Sequence, residues 1–372
     1  MDNPYHLNFT QRMLQHVQNS SSDLAAAACS EQASFYTDER RWLKEKQQFF
    51  LSTPQVVGFA GEVAQAGSYI TVESMGIPLL ICRSQEGQLQ AFINACGHRG
   101  ARVAEGCGLA KRLTCKFHGW SYNLDGQLAG RPQDNAFEPI HSQNHLTPLP
   151  VSQSSGLLVV GLTTNISQTT VDKALDPISA ALQAYDFTQV SSIQTRKYTV
   201  AANWKLVTAL SLEGYHFKTL HRDSLAPMML DHTVFDDFGG HTRWGFALKG
   251  IEVLLDKAVE DWPEHFPGAV NHTLFPSTIA VASGRDAQLI RAEPGSHPGE
   301  SVVYYSGVCG TPGGEADSLS AYEFGGDIFE KEDLPAAEQC QKGIDAGRQE
   351  FAIGANEPVV QAWHQKWRTQ LS

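Results

Sequence analysis

The chain has no run of roughly 20 apolar residues, the length a bilayer-spanning helix needs, so no membrane partner is expected. It opens Met1-Asp2-Asn3-Pro4-Tyr5-His6, without the basic start and apolar stretch of a secretory signal. The short run Ala25 to Ala28 favours helix and is not a targeting core. Positive charge is scarce: 28 Lys and Arg against 40 Asp and Glu, a net charge of −12. An acidic chain without a Lys/Arg stripe argues against nucleic acid or anionic lipid as partner. Cysteine is sparse and odd in number, seven in 372 residues. That usage suits a reducing cytoplasm and excludes a disulfide-stapled scaffold. No internal repeat or low-complexity segment stands out. What is present is a globular composition, 42% hydrophobic, with length for two domains of ordinary size.

Three regions separate along the chain. Residues 1–45 read as helical, with the charged run Asp38 to Lys46 spacing its apolar positions for one buried face. Residues 46–165 change to short β-rich runs: Tyr69 to Glu73, Pro78 to Cys82, Leu89 to Ile93 and a buried strand within Val151 to Leu162. Glu86-Gly87 and Asp125-Gly126 are hairpin-type turns. Residues 166–372 mix helices and strands.

The chemistry concentrates first in the β-rich region. Cys96-Gly97-His98 is followed, after sixteen intervening residues, by Cys115-Lys116-Phe117-His118. This C-x-H…C-x-x-H pattern supplies two thiolates and two imidazoles. In a Rieske [2Fe–2S] centre two Cys hold one iron and two His replace the Cys pair on the other, which raises the reduction potential. A structural zinc is the competing reading, but its usual spacings differ. Two of the seven Cys are thereby assigned, leaving Cys29, Cys82, Cys107, Cys309 and Cys340 scattered.

The strings Cys96-x-His98-Arg99-Gly100 and Cys115-x-x-His118-Gly119-Trp120-x-Tyr122-x-x-Asp125-Gly126 resemble the signature of Rieske oxygenase large (alpha) subunits. Respiratory Rieske proteins carry two further Cys that brace the cluster loops. Those positions here are Ala101 and Phe117, and Cys107 has no matching partner.

A second site lies downstream. His216 and His221 stand five residues apart, which on a regular helix places them roughly 140° round from one another. A helix ending, bulge or turn must bring both to one metal, and by spacing alone two surface or core histidines are the commoner reading. The resemblance extends to this segment: Asn203-Trp204-Lys205, then Glu213-x-Tyr215-His216-x4-His221, is similar to the catalytic motif of the same family. It implies His216 and His221 as ligands of a mononuclear Fe(II). It also implies Glu213 as a carboxylate bridging that iron's His ligand to a cluster histidine, His118, of a neighbouring subunit. Ala209-Leu210 stands where relatives often have Glu-Asn, and Pro54 where they commonly have Trp. The segment Phe329 to Gly343 resembles the family's E-D-x4-E-x-x-Q-x-G stretch, which implies Asp333 as the iron carboxylate. The neighbours Asp327, Glu330, Glu332 and Glu338 compete, and Glu332-Asp333 also suits a helix N-terminus beginning at Pro335.

The fold expected is α+β, a β-rich Rieske domain at 46–165 followed by a helix-grip-type catalytic domain at 166–372. That catalytic domain has an antiparallel sheet and covering helices, with the 1–45 helical segment packed on it. The activity implied is that of a terminal oxygenase component. Single electrons come ultimately from NAD(P)H, through a separate reductase or ferredoxin, to a [2Fe–2S] cluster held by Cys96, His98, Cys115 and His118. They pass to Fe(II) held by His216, His221 and Asp333, with O2 as co-substrate. Glu at position 213, where ring dihydroxylases commonly have Asp, and the E-D-L and Q-K-G-I strings lean toward oxygenases of methylated or quaternary amines. Trp244, Phe246, Tyr304 and Tyr305 are candidate aromatic faces for such a cation. Aromatic ring hydroxylation is the alternative, and a Rieske electron carrier without oxygen chemistry a distant one. The bridge implies a head-to-tail ring, a homotrimer in this family, in the cytoplasm.

Overall fold

A computed structural model of the chain describes residues 4–138, 144–185, 187, 191–284, 286–309 and 315–371. These form two compact units. One comprises residues 47–174 and 187–191, the other 1–46, 175–186 and 192–372.

The first unit is built from three antiparallel sheets. The largest has the strand order Pro148–Leu149, Leu89–Ile93, Ile77–Arg83, Ser68–Ser74, Cys107–Leu109. Alternation along Ile77–Arg83 sends Leu79 and Ile81 into one core with Val63, Ile70 and Val160, and Leu80 and Cys82 into another with Phe92, Trp120 and Tyr122. That second core lies directly beneath the two Cys-His loops, since Cys96 and Cys115 belong to it. The buried strand expected within Val151 to Leu162 is Leu157–Val160, and it pairs with Val151–Ser154 as a hairpin. Ser155 and Gly156, both at positive φ, supply the turn. The short helix Gln168–Asp172 packs on Val151–Ser154 and carries the unit on to residue 174.

The second unit centres on a seven-stranded sheet. From Val234–Asp237 it meanders antiparallel through Thr242–Ala247, Gly268–Leu274, Thr278–Ser283, Asp286–Pro294 and Ser301–Cys309, with Ser191–Val200 at the far edge. The connection between Ser191–Val200 and Val234–Asp237 contains the helix Trp204–Leu210 and the His216–His221 stretch. After the last strand come the helices Glu315–Ile328, Leu334–Asp345 and Pro358–Leu371. The overall class is therefore α+β, with antiparallel sheets in both units and helices around the larger sheet.

Two local expectations need correction. The N-terminal segment is not wholly helical: Cys29–Gln32 is a strand paired antiparallel with Glu350–Ile353, and the Ala25 to Ala28 run leads into it without forming helix. Nor does a helix begin at Pro335. Glu315–Ile328 continues through a π-helical turn, Phe329–Asp333, into Leu334–Asp345. Proline lacks an N–H and its ring crowds the carbonyl four residues back. In the wide turn the Leu334 N–H reaches back to the Phe329 carbonyl, so the helix passes the proline without breaking.

Candidate active site

The two Cys-His loops have the same local architecture. In the first, the Gly100 N–H donates to the Cys96 carbonyl at 2.9 Å and the Cys96 N–H to the Ala101 carbonyl at 2.8 Å. In the second, the Gly119 N–H donates to the Cys115 carbonyl at 3.0 Å and the Cys115 N–H to the Trp120 carbonyl at 2.8 Å. Both glycines sit at φ 75°, which a side chain would oppose, so each loop turns sharply and returns its histidine toward the other. The result is that His98 Nδ1 and His118 Nδ1 meet at 3.1 Å. The thiols are buried, Cys96 at 5% and Cys115 at 2% exposure, while His118 is exposed. His98 stacks on Trp120 at 5.0 Å and 8°. The Tyr122 hydroxyl accepts the Gly97 N–H at 2.9 Å and lies 3.2 Å from Cys96 Sγ. Burial pushes the Cys96 thiol up, so the thiolate form here needs a compensating cation. Two buried sulfurs beside two facing imidazole nitrogens are a donor set that fits a Cys2His2 iron–sulfur cluster. The six described cysteines are all free of disulfides, and the side chain of Cys309 lies outside the described residues.

The second site is set by the end of the helix Trp204–Leu210. Asn203 caps its start, accepting the Lys205 N–H at 2.9 Å. At its end the Ser211 carbonyl accepts Trp244 Nε1–H at 2.9 Å and an Asn271 Nδ2–H at 3.3 Å, which pins the following turn to the sheet. That turn presents Glu213, His216 and His221 without regular helix. The Leu220 N–H donates to the His216 carbonyl at 2.8 Å, and the Ala226 N–H to the His221 carbonyl at 2.9 Å. Because these are turns, the two imidazoles converge: His216 Nε2 lies 3.1 Å from His221 Nε2. Asp333, at the end of the π turn, brings Oδ1 to 3.2 Å from His221 Nε2 and 3.7 Å from His216 Nε2. Among the described residues this is the one group of three such side chains placed to share a metal ion. Asp333 Oδ1 is buried without a hydrogen-bond partner, an orphan that a cation would satisfy. Right-angled ligands at roughly 2.1 Å from one ion stand about 3 Å apart, so the spacing fits a facial 2-His-1-carboxylate set.

The competing carboxylates are occupied elsewhere. Asp327 and Glu330 face Arg196 at 3.4 and 3.5 Å, and Glu338 accepts the Ala201 N–H at 3.1 Å. Glu213 accepts from His216 Nδ1 at 2.5 Å. From the sequence, Glu332 reads as a rival to Asp333 or as part of a helix N-terminus. The structure instead places its Oε2 2.8 Å from His221 Nδ1, so each histidine has a carboxylate at its Nδ1 edge. Its position beside Asp333 was the available signal. Burial alone would lower His221, but the two carboxylates beside it, Asp333 and Glu332, outweigh it and hold its pKa above the ordinary value.

Beside the pair lies a cavity of about 890 Å³, lined among others by Tyr215, Phe217, Trp244 and Phe246. Phe217 links the two, packing edge-on against His216 at 4.9 Å and against Phe246 at 4.9 Å. Of the four aromatics expected to face a cation, Trp244 and Phe246 line this cavity. Tyr304 and Tyr305 do not: Tyr304 packs under Arg291 at 4.3 Å, and Tyr305 stacks on Phe329 at 5.4 Å within the core.

Comparison with known proteins agrees with this architecture. Residues 187–372 match the family model described as "Ring hydroxylating alpha subunit (catalytic domain)", and residues 53–149 match "Rieske [2Fe-2S] domain". The chain belongs to the Rieske oxygenase alpha-subunit family. Among relatives of this oxygenase is the carnitine monooxygenase oxygenase subunit of Escherichia coli K12, 27% identical over 84% of this chain and 83% of the relative. The glycine betaine monooxygenase oxygenase subunit of Chromohalobacter salexigens is 31% identical over 51% of this chain and 43% of that protein. In fold, the oxygenase is similar to the quaternary ammonium Rieske monooxygenase CntA solved with L-carnitine, with a TM-score of 0.77, 22% identity, and 94% of this chain and 96% of that one covered. Naphthalene 1,2-dioxygenase from Rhodococcus sp. bound to indole aligns with a TM-score of 0.74 at 17% identity, covering 98% and 97%. A Rieske oxygenase subunit carries a [2Fe–2S] cluster and a mononuclear iron and receives electrons from a reductase. Among its described residues no helix is long and apolar enough to cross a membrane.

Proposed function

We propose that this oxygenase acts on a small methylated or quaternary amine. The observation that carries the reading is the aromatic lining of the cavity, joined to His216 through Phe217. Quaternary ammonium groups are held by aromatic faces within about 6 Å, each worth about 0.5–2 kcal/mol. Tyr215, Phe217, Trp244 and Phe246 offer such faces. The lining carboxylate, Asp231, is engaged by Lys218, which leaves the rings as the recognition element for a cation. The similarity to carnitine and glycine betaine monooxygenase subunits supports the same substrate class.

The geometry supports the following residue roles. Cys96 and Cys115 would hold one iron of the cluster from inside the core, and His98 and His118 the other at the surface. His216, His221 and Asp333 would hold the mononuclear iron, with Glu213 fixing the ring of His216. When bound, the cluster supplies single electrons and the mononuclear iron supplies oxygen activation. The chain's own part is to orient the ligands, hold the amine beside Phe217 and keep water from the buried ligand atoms. By the family resemblance, Glu213 would also link His216 to His118 of the partner subunit. This proposes a head-to-tail assembly, closed as a trimer.

The test is a single turnover of chemically reduced protein with O2 and a mixed pool of methylated amines and aromatics, read by mass spectrometry. Loss of a methyl group with formaldehyde, or a cleaved C–N bond, is the expected result. Hydroxyls added to a ring would overturn the amine reading in favour of ring hydroxylation.

A further inference from the structure

We propose that Glu332 is a positioning residue of the iron centre, holding His221 in the one tautomer and ring orientation that can bind the metal. The inference rests on the reading of His216, His221 and Asp333 as the iron ligands. Glu332 and Asp333 are consecutive, yet they reach opposite edges of the same imidazole. Glu332 Oε2 is 2.8 Å from Nδ1, and Asp333 Oδ1 is 3.2 Å from Nε2. The π turn that carries both residues is what lets neighbouring side chains clasp one ring.

A neutral imidazole has one N–H and one lone pair. A carboxylate at Nδ1 requires the N–H to be there, which leaves the Nε2 lone pair facing His216 and Asp333. Without Glu332 the preference reverses. His221 is 1% exposed, so water cannot readily satisfy Nδ1, whereas Asp333 Oδ1 stands ready to accept a hydrogen from Nε2. That alternative tautomer blocks the nitrogen the metal needs. Ser224 strengthens the arrangement: its hydroxyl donates to the same Oε2 at 2.9 Å, and its N–H donates to the His221 carbonyl at 3.2 Å. Glu332 therefore does for His221, from 111 residues away, what Glu213 does for His216 from three residues away. Carboxylates in this position typically contribute 10- to 100-fold in metal affinity.

The test is Fe(II) affinity of the mononuclear site in the cluster-loaded protein, by competition with a chelator, with the cluster's visible absorbance as a gauge of folding. Glu332→Ala should weaken Fe(II) binding about 10- to 100-fold. Glu332→Asp, which keeps the charge but cannot span to Nδ1, should do the same and serves if the alanine variant does not fold. Glu332→Gln, whose amide oxygen still accepts the Nδ1 hydrogen, should stay within a few-fold of the parent. Glu330→Ala, removing a carboxylate of the same turn that faces Arg196 and Tyr198, should leave affinity unchanged. Parent-like affinity in Glu332→Ala or Glu332→Asp overturns the proposal, as does a Gln variant as weak as the Ala variant. A parent protein that binds no iron beyond the cluster's two overturns instead the iron-site reading beneath it.

Discussion

Replacing Tyr122 by Phe should lower the reduction potential of the cluster by several tens of millivolts. The Tyr122 hydroxyl accepts the Gly97 N–H, so its own hydrogen is free to point at Cys96 Sγ, 3.2 Å away, and a thiolate there can only accept it. A hydrogen bond to a charged group contributes about 1.5–3 kcal/mol. Reduction adds one negative charge to the cluster, and only the part of that bond that strengthens with the added charge moves the potential. Taking about half gives roughly 0.75–1.5 kcal/mol. At 59 mV per tenfold for a one-electron couple, this is about 30–65 mV. The shift is negative because the reduced state loses more than the oxidised one. Tyr122 is fully buried and Phe occupies nearly the same volume, so packing survives. The Gly97 N–H loses its acceptor, but Gly97 is exposed and water takes that place. Spectroelectrochemical titration of the visible bands measures the shift. Thr114→Ala, which removes a hydroxyl bonded to Ser121 at 2.8 Å on the neighbouring strand, is the control and should not move it. A Tyr122→Phe potential within about 10 mV of the parent, or a positive shift, would refute the reasoning that sulfur hydrogen bonding tunes this centre.

Glu213→Gln should retain both metals, since its amide oxygen still accepts from His216 Nδ1, yet slow electron delivery to the mononuclear site at least tenfold. Stopped-flow reoxidation of reduced protein measures this, and an unchanged coupled rate would remove the bridging role. Glu31 links the Cys29–Gln32 strand to the C-terminal helix through His364 at 3.1 Å and Arg368 at 2.6 Å. Burial alone would raise its pKa, but the His364 and Arg368 bonds prevail and hold it down at about 2 against 4.5 unfolded. A depressed carboxylate stabilises the fold above the unfolded value and loses that contribution as pH falls from about 4.5 to about 2. Glu31→Gln should therefore cost up to about 3 kcal/mol in urea unfolding at pH 7, with the gap closing below pH 4.5. A gap that stays constant through the acid range would contradict the linkage.

How much of this was legible in the sequence depends on how local each feature is. The residues proposed as cluster ligands sit in two short loops whose Cys-His spacing and following glycines state the geometry directly. The histidine pair was ambiguous because residues five apart diverge on a helix. Only the turn after Leu210, fixed by Trp244 and Asn271 from strands far along the chain, brings them together. Asp333 followed from the resemblance, but the π turn that delivers it did not, since Glu332-Asp333-Leu334-Pro335 equally suits a fresh helix start. The role of Glu332 depends on that turn and was hidden with it. The strand Cys29–Gln32 was missed because Cys-Ser-Glu-Gln has no strand-like alternation and its partner lies more than 300 residues downstream. The buried strand within Val151 to Leu162 was legible from the apolar run Leu157 to Val160, whereas its hairpin partner Val151–Ser154, with alternating polar residues, was not. Trp244 and Phe246 share a cavity wall. Tyr304 and Tyr305, equally aromatic, are absorbed by Arg291 and Phe329, a difference that composition cannot show.

The central claim is that one chain holds two separate iron sites, with Asp333 completing the second. The most direct test is iron per chain, by elemental analysis, in parent and Asp333→Ala protein, normalised to the cluster's visible absorbance. The account predicts three irons in the parent and two in the variant, with the cluster spectrum unaltered. Equal iron in both proteins, or only two in the parent, would contradict it.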